Sequence, residues 1–170
     1  MAVAAIFLIL PLCLVFAAIN DVASMTIPNR IPLILLLSFI VVAPFTGMEW
    51  QTFAMSIAAA AAVFFACFAL FAANVMGGGD AKLLTAAAVW YGFNASLIEF
   101  LLAVTFIGGV LTLGILLLRS RSQEIMAAGI PIPDSLLVEK KIPYGIGIAI
   151  AGLLTYGETP LVKAAIASLS

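Results

Sequence analysis

Two aspartates are the residues of this chain whose type and position best suit chemistry. Among eight acidic residues, Asp21 closes the first long apolar segment and Asp80 opens the fourth. Two carboxylates that meet where water is scarce cannot both ionise at low cost, so the pair shares one proton. One of them can then draw a proton from water while the other donates to a carbonyl oxygen. The pair is therefore typical of hydrolysis by two aspartates, a mechanism that needs neither histidine nor metal.

The same positions also fit simpler structural roles. Asp80 could be the N-cap of a helix that begins at Ala81, and Asp21 could be a solvated loop residue. The run Gly77, Gly78 and Gly79 favours the catalytic interpretation, because glycines allow positive φ and let an extended chain approach the carboxylate. Downstream of Asp21, Pro28 would fix the chain where it enters the second helix.

Composition argues against several other chemistries. The chain has no histidine, which removes the commonest zinc ligand and proton shuttle. Cys13 and Cys67 each lie inside an apolar run and are expected to act as small apolar side chains. A net charge of -1, without a basic patch, argues against a nucleic-acid partner. We therefore expect no metal, no cofactor and no nucleic acid.

The elements that must position the two acids belong to a membrane protein. Apolar residues make up 65% of the chain and charged residues only 9%, with a mean hydropathy of +1.30. Soluble domains are about 45–50% apolar and about 25% charged. So few charges could not cover a water-exposed surface, and the lipid bilayer is the expected surrounding.

The pattern predicts one membrane-embedded domain over residues 1–170, an all-α polytopic bundle of about six transmembrane helices. A single helix over 81–118 would be about 57 Å long, against a hydrocarbon core of about 30 Å, so we divide it at the polar segment 92–96. The six predicted helices are Ala2–Ile19, Ile31–Phe45, Thr52–Ala73, Ala81–Phe93, Leu97–Leu118 and Pro143–Tyr156.

The basic residues predict the orientation of the bundle. Six of the seven fall in the loops after the first, third and fifth helices, and Lys163 falls on the opposite side. These six are Arg30, Lys82, Arg119, Arg121, Lys140 and Lys141. Because cytoplasmic loops are enriched in lysine and arginine, the two aspartates should face the cytoplasm and both termini should lie outside. The polar segment Arg119–Lys141 is expected to form a loop, with a short surface helix over Ser122–Ala128.

Several motifs resemble those of a known family. Gly77-Gly78-Gly79-Asp80 matches the GxGD signature of membrane-embedded aspartic proteases. The spacing from Asp21 through Ile27-Pro28-Asn29 is similar to the first aspartate motif of type IV prepilin peptidases. Lys82 matches a lysine that often follows the second aspartate, and Pro143-Tyr144-Gly145 is similar to a motif near the last helix. The order and spacing of these motifs extend over nearly the whole chain.

The resemblance implies a membrane aspartic endopeptidase of the bacterial inner membrane. Such an enzyme removes the short basic leader of prepilins or pseudopilins at the cytoplasmic face, after a glycine and before the pilin's hydrophobic helix. Asp21 and Asp80 would be the catalytic pair. The residues expected to support the site or the approach of the substrate are Gly77, Gly78, Gly79, Lys82, Pro28, Asn29, Pro143, Tyr144 and Gly145.

Two of these supporting residues also have structural interpretations. Lys82 lies two positions past Asp80 and so does not share its helix face. It could stabilise a carboxylate or simply mark the cytoplasmic end of the helix. Tyr144 could line the site or anchor the helix at the membrane interface.

The chain also departs from the larger members of that family. These carry an extra cytoplasmic domain with two CxxC pairs, which binds zinc and supports N-methylation of the new pilin terminus. This chain has no CxxC pair, and its first loop is too short for a domain. Methyltransferase activity is therefore not expected, and the short form resembles the branch that serves tight-adherence (Flp-type) pili.

Two other functions remain open at the level of sequence. A small proton-coupled transporter could use Asp21 and Asp80 as coupling carboxylates, although transporters place such groups near the bilayer midplane. A non-catalytic subunit of a membrane assembly could use them as helix caps, in which case asparagine would replace either one.

Overall fold

A computed structural model describes residues 2–122, Glu124 and 142–167, and every regular element within these residues is helical. The predicted surface helix over Ser122–Ala128 lies largely outside the described residues, as do Lys140 and Lys141. Two 3-10 turns, Ala43–Thr46 and Tyr156–Glu158, extend the second and sixth helices. The α-helices are α1 Ala2–Ser24, α2 Arg30–Val42, α3 Trp50–Ala72, α4 Gly78–Tyr91, α5 Ala95–Ser120, α6 Tyr144–Thr155 and α7 Pro160–Ala167.

Four helical segments are long and apolar enough to cross a bilayer. They are Ile6–Ser24, Trp50–Ala72, Ala95–Ser120 and Tyr144–Ala167, and Arg30–Thr46 is a shorter apolar helix. Large apolar side chains cover the outside of the bundle, where Phe106 and Leu154 are each 73% exposed. Lipid, unlike water, solvates such a surface without cost. The prediction of an all-α membrane bundle is confirmed.

The short helix α4 forms the centre of the bundle. Its 14 residues extend about 21 Å, less than the hydrocarbon core, and most of them from Leu83 onward are buried by α2, α3 and α6. The indole of Trp90 donates a hydrogen bond to the Leu35 carbonyl of α2, at 3.1 Å. The ring of Tyr91 stacks on Phe100 of α5 with centroids 4.4 Å apart. These contacts fix the helix that carries Asp80.

Glycines allow α6 to pack closely between α1 and α5. A Cβ atom on Gly147 would lie 3.4 Å from the Gly108 backbone of α5, and one on Gly152 would collide with Leu14 of α1. Small residues commonly allow such close packing of helices in membranes. This packing brings the start of α6 beside the end of α1.

The connections of the bundle alternate between two ends. The site end contains the ends of α1 and α3 and the starts of α2, α4 and α6, which border one cavity. The distal end contains the turns between α2 and α3, between α4 and α5, and between α6 and α7. The described helices α1 to α6 therefore run alternately between these two ends.

Two boundaries at the site end differ from the predicted ones by more than two residues, and one helix was not predicted. Helix α1 continues to Ser24 and α4 begins at Gly78, so both helices are longer at the site end. Helix α7 was not predicted, because its eight residues are too few for a span. It buries Leu161, Val162 and Ala165 against α1, α4 and the Ala43–Thr46 turn at the distal end.

Candidate active site

Asp21 lies in the last turn of α1, and its side chain is only 6% exposed. The interpretation of this residue as a solvated loop residue was therefore wrong, because α1 runs one turn further than its apolar segment suggested. Its Oδ2 atom accepts a hydrogen bond of 2.7 Å from the backbone N–H of Gly145. A buried carboxylate needs such a donor, since water does not reach it freely.

The start of α6 is shaped to receive this carboxylate. A Cβ atom at Gly145 would lie 2.7 Å from Oδ2 of Asp21, inside van der Waals contact. Pro143, the buried N-cap residue of α6, contributes no side-chain cap, and the Gly145 N–H is left to donate to Asp21. Glycine at position 145 therefore lets the α6 backbone approach the acid closely.

Asp80 is the third residue of α4 and lies in its first turn. The interpretation of Asp80 as an N-cap was wrong, because the helix begins at Gly78 and Gly77 occupies the cap position. Asp80 is partly buried, and within the described part of the chain its carboxylate makes no hydrogen bond. Its position leaves it available to another group in the cavity.

The three glycines before Asp80 serve close approach rather than an unusual backbone. None of them has a positive φ, so the expectation that they are needed for such a backbone was wrong. A Cβ at Gly77 would lie 2.8 Å from Oδ2 of Asp80, one at Gly78 3.2 Å from the Phe71 ring, and one at Gly79 3.2 Å from Cβ of Ile27. Larger residues there would displace the acid or separate α4 from its neighbours.

Both carboxylates border one cavity of about 650 Å³ at the site end. They are close enough for the charge of Asp21 to act on Asp80. Among the described residues neither acid forms an ion pair. Two acids that no described cation neutralises therefore share one cavity, an arrangement that favours sharing of one proton.

Lys82 and Asn29, two of the predicted supporting residues, contact each other. The ammonium group of Lys82 donates a hydrogen bond of 2.9 Å to Oδ1 of Asn29, linking the first turn of α4 to the start of α2. Asn29 borders the cavity, whereas Pro28 is exposed and its carbonyl accepts the N–H of Ile31 at 3.0 Å. Lys82 thus orients the α1–α2 connection.

Tyr144 borders the cavity from the start of α6. Its ring packs on Gly108, and its hydroxyl is hydrogen bonded to that of Thr112, at 3.0 Å. Thr112 was not predicted, and neither was Phe71, which packs on Gly78. No local pattern in the sequence distinguishes either residue from its apolar neighbours, so only the tertiary structure could reveal them.

Within the described ranges no group of three or more histidine, cysteine, aspartate or glutamate side chains could hold a metal ion. Two acids near one another offer fewer ligands than a protein site for zinc or calcium requires. The donor set of the cavity therefore fits acid–base chemistry better than metal binding.

The helical bundle and its paired acids define a membrane protein with a diacid cavity. Comparison with protein families gives a match over residues 8–113 to the type IV leader peptidase family, and the chain belongs to that family. The matched region includes both aspartates, and it ends before α6. No curated protein and no solved structure matched the chain.

Family membership confirms the suspected resemblance to prepilin peptidases. It also supports a leader peptidase-type function for the chain in general. The contacts of Asp21 and Asp80 add the detailed geometry on which a mechanism can be proposed.

Proposed function

We propose that this protein is an aspartic endopeptidase that uses Asp21 and Asp80 to activate water. The observation that carries the proposal is the meeting of these two carboxylates at one cavity, where their charges interact. Two acids that share a proton supply a base and an acid at once, as hydrolysis of a peptide requires. Neither a metal nor a cofactor takes part.

The substrate is a prepilin or pseudopilin with a short basic leader and a hydrophobic helix. A membrane peptidase of the type IV leader peptidase family would meet the junction between these two parts at the edge of the bilayer. The cavity supports this, because it opens at the end of the bundle and not within its apolar interior. The anionic pair also attracts a basic leader.

The site end faces the cytoplasm in this proposal, and the bacterial inner membrane holds the protein. Arg30, Lys82, Arg119 and Arg121 lie at that end, whereas Lys163 lies at the distal end. The bias agrees with the enrichment of basic residues in cytoplasmic loops. This sequence contains no CxxC pair of the kind that binds zinc in larger family members, and we assign the chain to the short, Flp-type branch.

The proposal is tested by incubating the purified protein in detergent with a prepilin-like peptide. The peptide contains a basic leader, a glycine at its end and the first residues of a hydrophobic helix. We expect one cleavage after the glycine, seen by mass spectrometry as a shortened product. A matched peptide with the leader lysines and arginines changed to glutamine should be cleaved more slowly.

Two further results would oppose the proposal. An intact peptide after long incubation, with protein shown to be folded, would reject leader cleavage. Loss of cleavage on adding EDTA, with recovery on adding a divalent metal, would replace the two-aspartate mechanism by a metal mechanism. We expect EDTA to leave the rate unchanged.

A further inference from the structure

We infer that Gly145 is a positioning residue for the two aspartates. Its backbone N–H holds the Asp21 carboxylate as the anionic member of the pair, so that Asp80 holds the shared proton. The inference rests on the proposed function and adds to it a separate role for each acid. It concerns a residue beyond the region matched to the family.

The first support is the geometry of the contact. The Gly145 N–H lies 2.7 Å from Oδ2 of Asp21, and both residues are buried. The neighbouring N–H groups bond elsewhere, that of Tyr144 to the Ile142 carbonyl and that of Ile146 to the Pro143 carbonyl. Within the first turn of α6, the Gly145 N–H is therefore the donor directed at the acid.

The second support is that the Asp21 anion needs this donor. Its location in the last turn of α1 places it at the negative end of a helix, and its burial removes most of its hydration. A hydrogen bond from an N–H group stabilises the ionised carboxylate. This stabilisation is larger than the destabilisation of the same charge by the dipole at the C-terminal end of a helix. The positive end of α6 acts in the same direction as the hydrogen bond.

Asp80 has no comparable donor within the described residues. The dipole of α4 favours its charge, but the carboxylate accepts no hydrogen bond and is repelled by Asp21. When the two acids share one proton, that proton is more stable on the carboxylate that accepts no hydrogen bond. The geometry thus divides the pair into a base, Asp21, and an acid, Asp80.

Other titratable groups around the pair do not reverse this division. Lys82 of α4 is bonded to Asn29, and the Tyr144 phenol of α6 to Thr112. Cys67 of α3 lies within electrostatic reach of Asp80 and carries no positive charge. Arg30 opens α2 and forms no ion pair with either acid.

The division gives a balanced reaction. As the water oxygen bonds to the scissile carbonyl carbon, one water proton passes to Asp21. The C=O π bond breaks, and Asp80 transfers its proton to the carbonyl oxygen. In the collapse of this diol, the C–N bond breaks as Asp21 gives its proton to the leaving nitrogen. One diol hydroxyl returns its proton to Asp80 and re-forms the C=O bond of the new carboxyl group, which restores both acids to their starting state.

The decisive test replaces the Gly145 N–H by oxygen, which adds no side chain. Glycolic acid at position 145 converts that amide to an ester, and the same exchange at Gly147, inside α6, is the matched control. We expect the acidic limb of the kcat/KM profile to move to higher pH by about one unit in the first protein only. An unmoved limb at position 145, or an equal shift in the control, would overturn the inference.

A conventional substitution gives a second test. Gly145→Ala should lower kcat by about 100-fold or more, since a Cβ there would displace the Asp21 carboxylate. Gly109→Ala, on the open face of α5, should keep wild-type cleavage. Full activity of Gly145→Ala would also overturn the inference. Failure of the wild-type protein to cleave the peptide would instead reject the proposed function, so the two failures are distinct.

Discussion

Acidic residues at the two ends of the bundle differ in their pairing with cations. At the distal end, Asn94 caps α5 by accepting the Ser96 N–H at 2.8 Å, and Glu158 pairs with Lys163 at 2.7 Å. At the site end, α2, α4 and α6 begin without a side-chain cap, and neither aspartate forms an ion pair with a described residue. Glu158 is neutralised by a neighbouring cation, whereas Asp21 and Asp80 form no ion pair with a described residue and remain available for a reaction.

The largest effect should come from removing the charge of either acid at the site end. Asp21→Asn and Asp80→Asn should each lower kcat at least about 1,000-fold, because neither half of a proton-sharing pair acts alone. Neither change should lower thermal stability, since each removes a desolvated charge that forms no ion pair with a described residue, and the asparagine oxygen at position 21 can still accept the Gly145 N–H. Peptide cleavage and thermal unfolding in detergent measure the two quantities. Residual cleavage near the wild-type rate in either variant would show that the acids serve structure only.

A smaller loss should follow from crowding Asp80. Gly77→Ala would place a methyl group 2.8 Å from Oδ2 of Asp80, and a shift of the acid by about 1 Å lowers kcat by about 10- to 100-fold. Gly114→Ala provides the control, because its added methyl group meets open space on α5. Steady-state kinetics of the two variants check the prediction. Equal rates would mean that Gly77 has no part in placing the acid.

The same tyrosine-to-phenylalanine change should have different consequences at the two ends. Tyr91→Phe removes buried hydrogen bonds to the Gly152 carbonyl and to Thr155, at 3.1 and 2.8 Å. We expect a loss of about 1 kcal/mol in the free energy of unfolding, with unchanged cleavage. Tyr144→Phe should keep stability and change cleavage several-fold, since that hydroxyl is exposed beside the cavity. Denaturant unfolding and kinetics of both variants test the contrast, and a stability loss confined to Tyr144→Phe would reverse it.

The smallest effect concerns the ion pair of the distal end. Both side chains of the Glu158–Lys163 pair are more than half exposed. Glu158→Gln should therefore change the unfolding free energy by less than about 1 kcal/mol and leave cleavage unaltered. A clear loss of cleavage would show that the distal end is coupled to the site. Such a result would contradict the expectation that the ion pair at the distal end has no effect on the reaction. Thermal unfolding at low and high salt provides the measurement.

Much of the site could be anticipated from the chain alone. Asp21 and Asp80 were identified because charged residues are rare beside apolar segments of this length, and the glycine run singled out Asp80. Their local structure was less predictable. Helix boundaries in a membrane protein do not coincide with the limits of apolar sequence, so Asp21 was placed outside α1 and Asp80 at an N-cap, whereas both are helical.

The contact between Gly145 and Asp21 shows what long-range packing adds. The two residues are far apart in sequence, and nothing local to Gly145 predicts an N–H directed at a carboxylate on another helix. The resemblance to a family motif drew attention to Pro143, Tyr144 and Gly145 without assigning each a part. The packing of α6 on α1 shows that Gly145 is the residue whose N–H group contacts Asp21.

The sequence by itself determined that this protein is a helical membrane bundle with two acids near one end, because hydrophobic length and scarce charge act through local composition. Only the tertiary structure decided how α1, α4 and α6 converge, which donor each acid receives and where α7 lies. Those features depend on distances of a few ångströms between helices. Such distances are set by the packing of side chains that are far apart in the sequence.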